Sequence, residues 1–359
     1  MFPTRAAILM CLTAPAVAAA QTPAFGGFVD TYFAYDFGRP AGRDRSFTTQ
    51  PARHSEFNIN LAHLEIRLDG ERLRGRLALQ AGTSVQSNYA GEPALGGASG
   101  PALARHIQEA VVGTRLGTGL WLDAGIFFSH LGSESFLSRD NPTYTRSLIA
   151  DYSPYYQAGV KLTWTPSPTL TAQVNIVNGW QNISENNDAK AVGLRFDIMP
   201  SSTAALSIYH FLGNEQPADA ESRLRAFQGA SLKLMPSGKT TLIGTFDFGW
   251  QEGAEGGESS TWHGAALIAR VQASPKVAIA ARVERYADPD EVIVATGSEN
   301  GFQVNGVSLG LDVSPVRNLL WRIELRGLGS KDRIYPDRGE AGGASTRNAF
   351  LVTSLGVTF

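Results

Sequence analysis

The chain has 359 residues, 31 basic against 33 acidic, for a net charge of −2 at pH 7. That balance excludes the clustered basic excess that a nucleic-acid partner calls for. Hydrophobic residues make up 43%, yet no internal window approaches the ~18 consecutive apolar residues of a transmembrane helix, and 38 glycines with 18 prolines suit many turns.

Met1 to Ala20 reads as a secretory signal. Arg5 supplies the positive end, Ala6 to Val17 the apolar stretch, and Ala18-Ala19-Ala20 the small-residue cleavage site before Gln21. The apolar stretch is about a dozen residues, short of the ~20 that a retained anchor needs. Cys11, the sole cysteine, lies inside this segment. Cleavage after Ala20 leaves residues 21–359 as one domain with no disulfide, thiol chemistry or cysteine metal site.

Alternating segments of about ten residues then recur, each followed by a turn signal. They fall near 25–37, 56–68, 73–85, 106–116, 120–129, 155–165, 169–180 and 189–199. The second half repeats the pattern near 203–212, 223–235, 240–251, 260–272, 276–286, 302–313, 319–328 and 347–359. Leu319, Trp321, Ile323 and Leu325 share one face, while Arg322, Glu324 and Arg326 share the other. One such strand suits any half-buried sheet. About sixteen in succession exceed a single soluble sandwich and predict an all-β, transmembrane, up-and-down antiparallel barrel.

The connections alternate as well. Asp69-Gly70-Glu71-Arg72, Gly117-Thr118-Gly119, Pro166-Ser167-Pro168 and Pro236-Ser237-Gly238-Lys239 are among the tight ones. Segments 38–55, 86–105, 130–154, 181–188, 213–222, 252–259, 287–301 and 329–346 are long and polar. Short periplasmic turns opposite long extracellular loops are the pattern of an outer-membrane barrel. One strand loses phase: Phe57, Ile59 and Leu61 share one parity, Leu64, Ile66 and Leu68 the other. Either a bulge near Ala62 restores it or the strand starts elsewhere.

The last strand alternates Leu351, Thr353, Leu355, Val357 and Phe359 against Val352, Ser354, Gly356 and Thr358. It resembles the closing strand by which bacterial outer-membrane barrels are recognised, which implies the barrel-assembly machinery as a partner through Phe359. Phe25-Gly26-Gly27-Phe28-Val29-Asp30-Thr31-Tyr32-Phe33, Phe57-Asn58-Ile59-Asn60-Leu61-Ala62 and the stretch from Tyr155-Tyr156-Gln157 to Asn178-Gly179-Trp180 resemble the OmpL-like β-barrel porins. The resemblance spans the mature chain and rests on strand patterns rather than catalytic signatures. It implies an outer-membrane pore for small hydrophilic solutes, embedded in lipid and lipopolysaccharide, single or as a homo-oligomer.

A barrel of about sixteen strands is too wide for wall side chains to fill, so selectivity falls to a constriction and its charges. The candidate is loop 130–154, carrying Glu134, Arg139, Asp140, Arg146 and Asp151 among Phe136, Leu137, Tyr144, Leu148 and Tyr152. The other reading is a polar loop folded over the rim. Strand parity aims Arg74, Arg76, Lys161, Arg195, Arg225, Arg282, Arg322 and Arg326 inward, because a cation at the lipid midplane costs ~2–4 kcal/mol. Inward acids include Asp30, Glu65, Glu109, Asp123, Asp197, Asp247, Glu284 and Glu324, so pairs such as Arg322 with Glu284 can stiffen the wall. Collectively the arginines suggest a slight anion preference. Phe28, Trp121, Tyr156, Trp164, Trp250, Trp262, Trp321 and Phe359 fall near strand ends, as girdle aromatics do.

No catalytic pattern stands out: there is no Gly-x-Ser-x-Gly, no phosphate loop and no His-Glu-x-x-His, and the six histidines lack ligand spacing. Neither an enzyme nor a cofactor is expected, and the acidic loops at 252–258 and 288–291 read as solvated surface. The main alternative to an open channel is a barrel with a plugged lumen acting in structure or adhesion. It calls for bulky apolar residues facing inward, whereas the inward set reads as mainly small, polar and charged.

Overall fold

The computed structural model describes residues 22–337 and 343–359; the expected signal, residues 1–20, lies outside them. The first half of the wall is β1 (Ala24–Asp36), β2 (Phe57–Asp69), β3 (Leu73–Ala81), β4 (Ile107–Gly117), β5 (Leu120–Phe128), β6 (Tyr156–Ser167), β7 (Leu170–Val177) and β8 (Ala191–Ser201). It continues with β9 (Ala204–Asn214), β10 (Leu224–Ser237), β11 (Thr240–Gln251), β12 (Ser260–Ser274), β13 (Val277–Asp288), β14 (Phe302–Val313) and β15 (Leu319–Ser330). A rim hairpin of β16 (Tyr335–Asp337) and β17 (Gly343–Ser345) precedes β18 (Arg347–Thr358).

Each barrel strand pairs antiparallel with its neighbour, and β1 closes on β18 from Phe28–Thr358 to Asp36–Phe350. Closure leaves no unpaired edge, which hydrocarbon requires because it offers no water to bond a bare amide. Alternation sorts the faces. Leu64, Leu77, Val112, Leu267, Leu309 and Leu325 are exposed outward, whereas Asp30, Asp123, Arg282 and Glu324 are buried inside.

The phase break in β2 is a bulge at Asn60, two residues before the expected place. Asp30 pairs with Leu61 and Thr31 with Ile59, so Asn60 is the extra residue. Phe57 and Ile59 before it and Leu64 and Ile66 after it all face lipid, while Asn60 and Leu61 both turn inward. The segment expected as strand to residue 85 instead ends at Ala81, and Thr83–Asn88 is a short helix. Gly82, at φ 141°, makes that turn; a side chain there would strike the Asn60 carbonyl.

Of the aromatics expected in the girdle, Trp164, Trp321 and Phe359 are exposed outward, but Phe28, Tyr156 and Trp262 are 2%, 1% and 1% exposed inside the barrel. Their strand-end positions suggested the headgroup boundary; their parity decides otherwise. At the seam, Gly27 and Phe359 exchange backbone hydrogen bonds of 2.8 and 3.1 Å, and the Phe359 ring fills the space a Gly27 side chain would need. Gly27→Leu is therefore expected to lower the melting temperature of the folded barrel, at an overpacking cost of about 1–3 kcal/mol. Gly42→Ala, whose new methyl meets nothing within 4 Å, is the control that leaves melting unchanged.

Candidate functional site

The connection between β5 and β6 lies inside the barrel, bonded to the wall at several points. Ser138 Oγ donates to Asp30 at 2.7 Å, and Asn60 Nδ2 donates to the same carboxylate oxygen at 2.8 Å, so the β2 bulge supports this contact. Two strands round the wall from β1, on β15, Arg322 donates to the carbonyls of Ser138, Asn141 and Pro142 at 2.5, 3.0 and 3.0 Å. Arg282 donates to the Thr145 carbonyl at 2.6 Å and the Thr143 hydroxyl at 2.7 Å. Glu324 accepts both the amide and the hydroxyl of Thr145 at 2.7 Å, and Glu284 accepts the Leu148 amide at 2.7 Å. On β8, Arg195 reaches the carbonyls of His130 and Gly132 at 2.8 and 2.9 Å. Arginine suits this work because its fixed fork of donors satisfies several carbonyls at once.

Those anchors are also paired among themselves. Arg282 meets Glu284 at 3.2 Å and Glu324 at 3.4 Å, and Arg326 meets Glu284 at 2.7 Å. Arg322 pairs with Asp312 at 2.8 Å rather than with Glu284, because β14 sets Asp312 directly opposite it. Arg282, Arg322 and Arg326 are only 1–2% exposed. A buried pair of this kind is held by its surroundings, and removing one partner typically costs ~3–5 kcal/mol.

The charged loop residues take different places. Arg146 and Asp151 are fully enclosed and pair at 3.2 Å, with Arg146 3.6 Å above the Tyr155 ring and Asp151 accepting Thr49 Oγ1 at 2.7 Å. Glu134 accepts the Ser147 amide at 3.2 Å and its hydroxyl, and burial pushes its carboxyl above the usual range. Arg139 reaches Thr358 Oγ1 at 3.1 Å, beside the seam, and Asp140 is half exposed.

Elsewhere on the wall, Arg74 donates to Asp123 at 2.6 Å, Arg76 bridges Glu65 and Glu109 at 2.7 and 2.8 Å, and Arg195 pairs with Asp197 at 2.9 Å. Arg225 donates to Gln251 at 2.6 Å, 5.7 Å from each of the Trp180 and Trp262 rings. Lys161 lies 4.7 Å over the Phe127 ring and makes no ion pair among the described residues. Register places Asp123, Lys161 and Asn175 side by side. Among the described residues, neither polar atom of Asn175 nor either ring nitrogen of His63 has a protein partner; polar atoms so enclosed call for water.

Towards the short turns, a cavity of about 570 Å³ opens between the loop and β8–β15, its charged lining Glu134, Arg139, Asp140, Arg195, Lys233, Arg270 and Asp312. Lys233 makes no ion pair among the described residues. Neither Lys233 nor Arg270 was in the expected inward set, although Lys233 shares its parity with Arg225 and Arg270 with Trp262.

The long-loop half differs from the expected small and polar interior. Trp180 packs edge-on to Phe211 and Phe227, each at 5.0 Å, and Trp262, Tyr286, Phe302 and Tyr335 belong to the same buried cluster. Loops carrying Phe47, Tyr152 and Trp180 bring aromatic partners to the wall, so the inward aromatics are covered rather than wetted. Asp288, expected in solvated surface, is fully buried and accepts the amides of Val292, Ile293 and Val294 at 2.9, 2.8 and 2.8 Å.

Two expectations follow. The Thr145 and Leu148 amides should exchange slowly with solvent; Glu324→Ala should speed Thr145 by at least ~10-fold, with β14 and β15 still protected. Unchanged exchange would show that the carboxylate does not hold the loop. Glu215 supplies the second. Its Oε2 accepts the Trp180 amide at 2.8 Å, its Oε1 is enclosed without a partner among the described residues, and burial raises its pKa to about 7 despite nearby Arg225. Since the free carboxyl titrates near ~4.3, docking of the Trp180 loop is strongest below that value. It weakens as pH rises towards about 7. Glu215→Gln should flatten the pH dependence of exchange over 178–190.

No curated protein matches the chain, but known folds do. OmpT of Vibrio cholerae, expressed in the outer membrane, has a TM-score of 0.61 at 8% identity over 95% of this chain and 99% of its own. The outer-membrane channel DcaP of Acinetobacter baumannii has 0.61 at 12% over 94% and 97%. An anion-selective porin from Comamonas acidovorans has 0.60 at 13% over 95% and 100%. The family model described as Putative beta-barrel porin-2, OmpL-like, matches residues 23–359. Sixteen closed strands, an apolar outer wall and a charged interior agree with that match: the chain belongs to the OmpL-like β-barrel porins of the outer membrane.

Proposed function

We propose that this porin is a passive diffusion channel for small hydrophilic solutes, with the segment 130–154 as its narrow section. The single observation that carries the reading is the set of bonds from Asp30, Arg282, Arg322 and Glu324 to the backbone and hydroxyls of that segment. A loop rooted at β5 and β6 and held on the arc from β13 to β1 across the ring narrows a lumen without depending on its own stability. In the same reading, residues 1–20 direct export and the strand ending at Phe359 meets the assembly machinery.

The anion preference shifts to different residues. Arg74 and Arg76 are compensated by Asp123, Glu65 and Glu109, so they add little net field. Lys161 beside the narrow section, with Asp123 opposite it in register, and Lys233 in the short-turn cavity make no direct ion pair among the described residues. In a confined, low-dielectric passage a cation not bonded to a carboxylate attracts anions more than in bulk water. A second reading, the plugged barrel, is favoured by the aromatic cluster of Trp180, Phe227 and Trp262. Planar bilayers separate the two. The channel reading expects discrete conductance steps and an anion-side reversal potential in a salt gradient, reduced in Lys161→Gln/Lys233→Gln. Silent bilayers with correctly folded protein mean a plug, and a cation-side potential ends the anion assignment.

A further inference from the structure

The outer wall carries a feature that the channel does not use. On the lipid-facing side, Arg285 stands opposite Asn305, Asn305 opposite Gly329, and Gly329 opposite Arg347. One row nearer the membrane centre, Val307 faces Gly327 and Gly327 faces Ala349. The next row is Leu309, Leu325 and Leu351, all exposed. Because Gly327, Gly329 and Ala349 project a methyl at most, the wall sinks between the two arginines into a hollow of about 900 Å³ at the long-loop rim.

Charge in this hollow is one-sided. Arg285, Lys331 and Arg347 line it against Asp337, the one carboxylate among its described lining residues. Among the described residues, Arg285 bonds only neutral Asn305, at 3.1 Å, and neither Arg347 nor Lys331 has an ion pair. Three strand spacings separate Arg285 from Arg347, about 14 Å. Exposed arginines at headgroup depth seek phosphate, which their fork binds in bidentate fashion.

We propose that this hollow binds a phosphorylated glycolipid of the outer leaflet. A sugar head bearing a phosphate at each end spans Arg285 and Arg347, and its acyl chains descend over Val307 and Leu309. A second copy of the chain is a poorer occupant, since a like-charged patch set against itself repels. The assignment rests on the porin reading only for orientation, long loops outward.

Native mass spectrometry of the refolded barrel tests it, with bisphosphorylated lipid A, its monophosphorylated form and phosphatidylglycerol as probes. Bisphosphorylated lipid A should bind about tenfold or more tighter than phosphatidylglycerol. R285A/R347A should abolish that margin, and Gly327→Leu should weaken binding by filling the hollow with both charges kept. Bilayer conductance and heat-modifiable migration should stay unchanged in these variants, so failure here leaves the channel reading standing. Equal affinity of wild type and variants, or no preference over phosphatidylglycerol, overturns the site. So does cross-linking of two copies through Asn305→Cys that lipid A does not displace.

Discussion

An amide inside hydrocarbon has no water to bond, and the pairing of β1 with β18 is what satisfies the last of them. Once the sheet is closed, the pleat leaves only two directions for a side chain. Leucines and valines go to lipid, and the wall charges go inward except at the rim, where Arg285 and Arg347 face out. The interior that results is a charged cylinder, which must then find partners for its own arginines and carboxylates.

Part of that demand is met across neighbouring strands, as Arg74 meets Asp123 and Arg322 meets Asp312. The rest is met by the segment between β5 and β6, whose backbone offers carbonyls to Arg195, Arg282 and Arg322 and amides to Glu284 and Glu324. A segment whose only regular pieces are single turns at Ser138–Asp140 and Leu148–Asp151 has spare backbone groups, and a charged wall has spare donors and acceptors. Each satisfies the other, which explains how an irregular chain can be buried at this depth. The long-loop half uses a different means, packing Trp180, Tyr152 and Phe47 against inward aromatics of the wall.

The wall was legible in the sequence because period-two alternation is a local signal. All sixteen barrel strands overlap their expected segments, and the β2 phase break pointed to a bulge two residues from Asn60. What local pattern cannot carry is register. Asp312 as the partner of Arg322 depends on how β14 lies against β15, and the pairing of Arg146 with Asp151 depends on a fold internal to the loop. For Trp262, Phe28 and Tyr156, nearness to a strand end points to the headgroup boundary while parity turns them inward, and parity decides. Parity alone places Lys233 with Arg225 and Arg270 with Trp262 on the inward face.

The account stands or falls on the segment between β5 and β6 lying across the lumen, tied to β1. Cysteines placed at Asp30 and Ser138, whose side chains meet at 2.7 Å, report this directly in a chain whose sole other cysteine is Cys11. A short bifunctional thiol reagent should join them within single molecules of the folded, heat-modifiable barrel. If both cysteines label separately and never join, the segment lies elsewhere and the narrow section assigned to it does not exist.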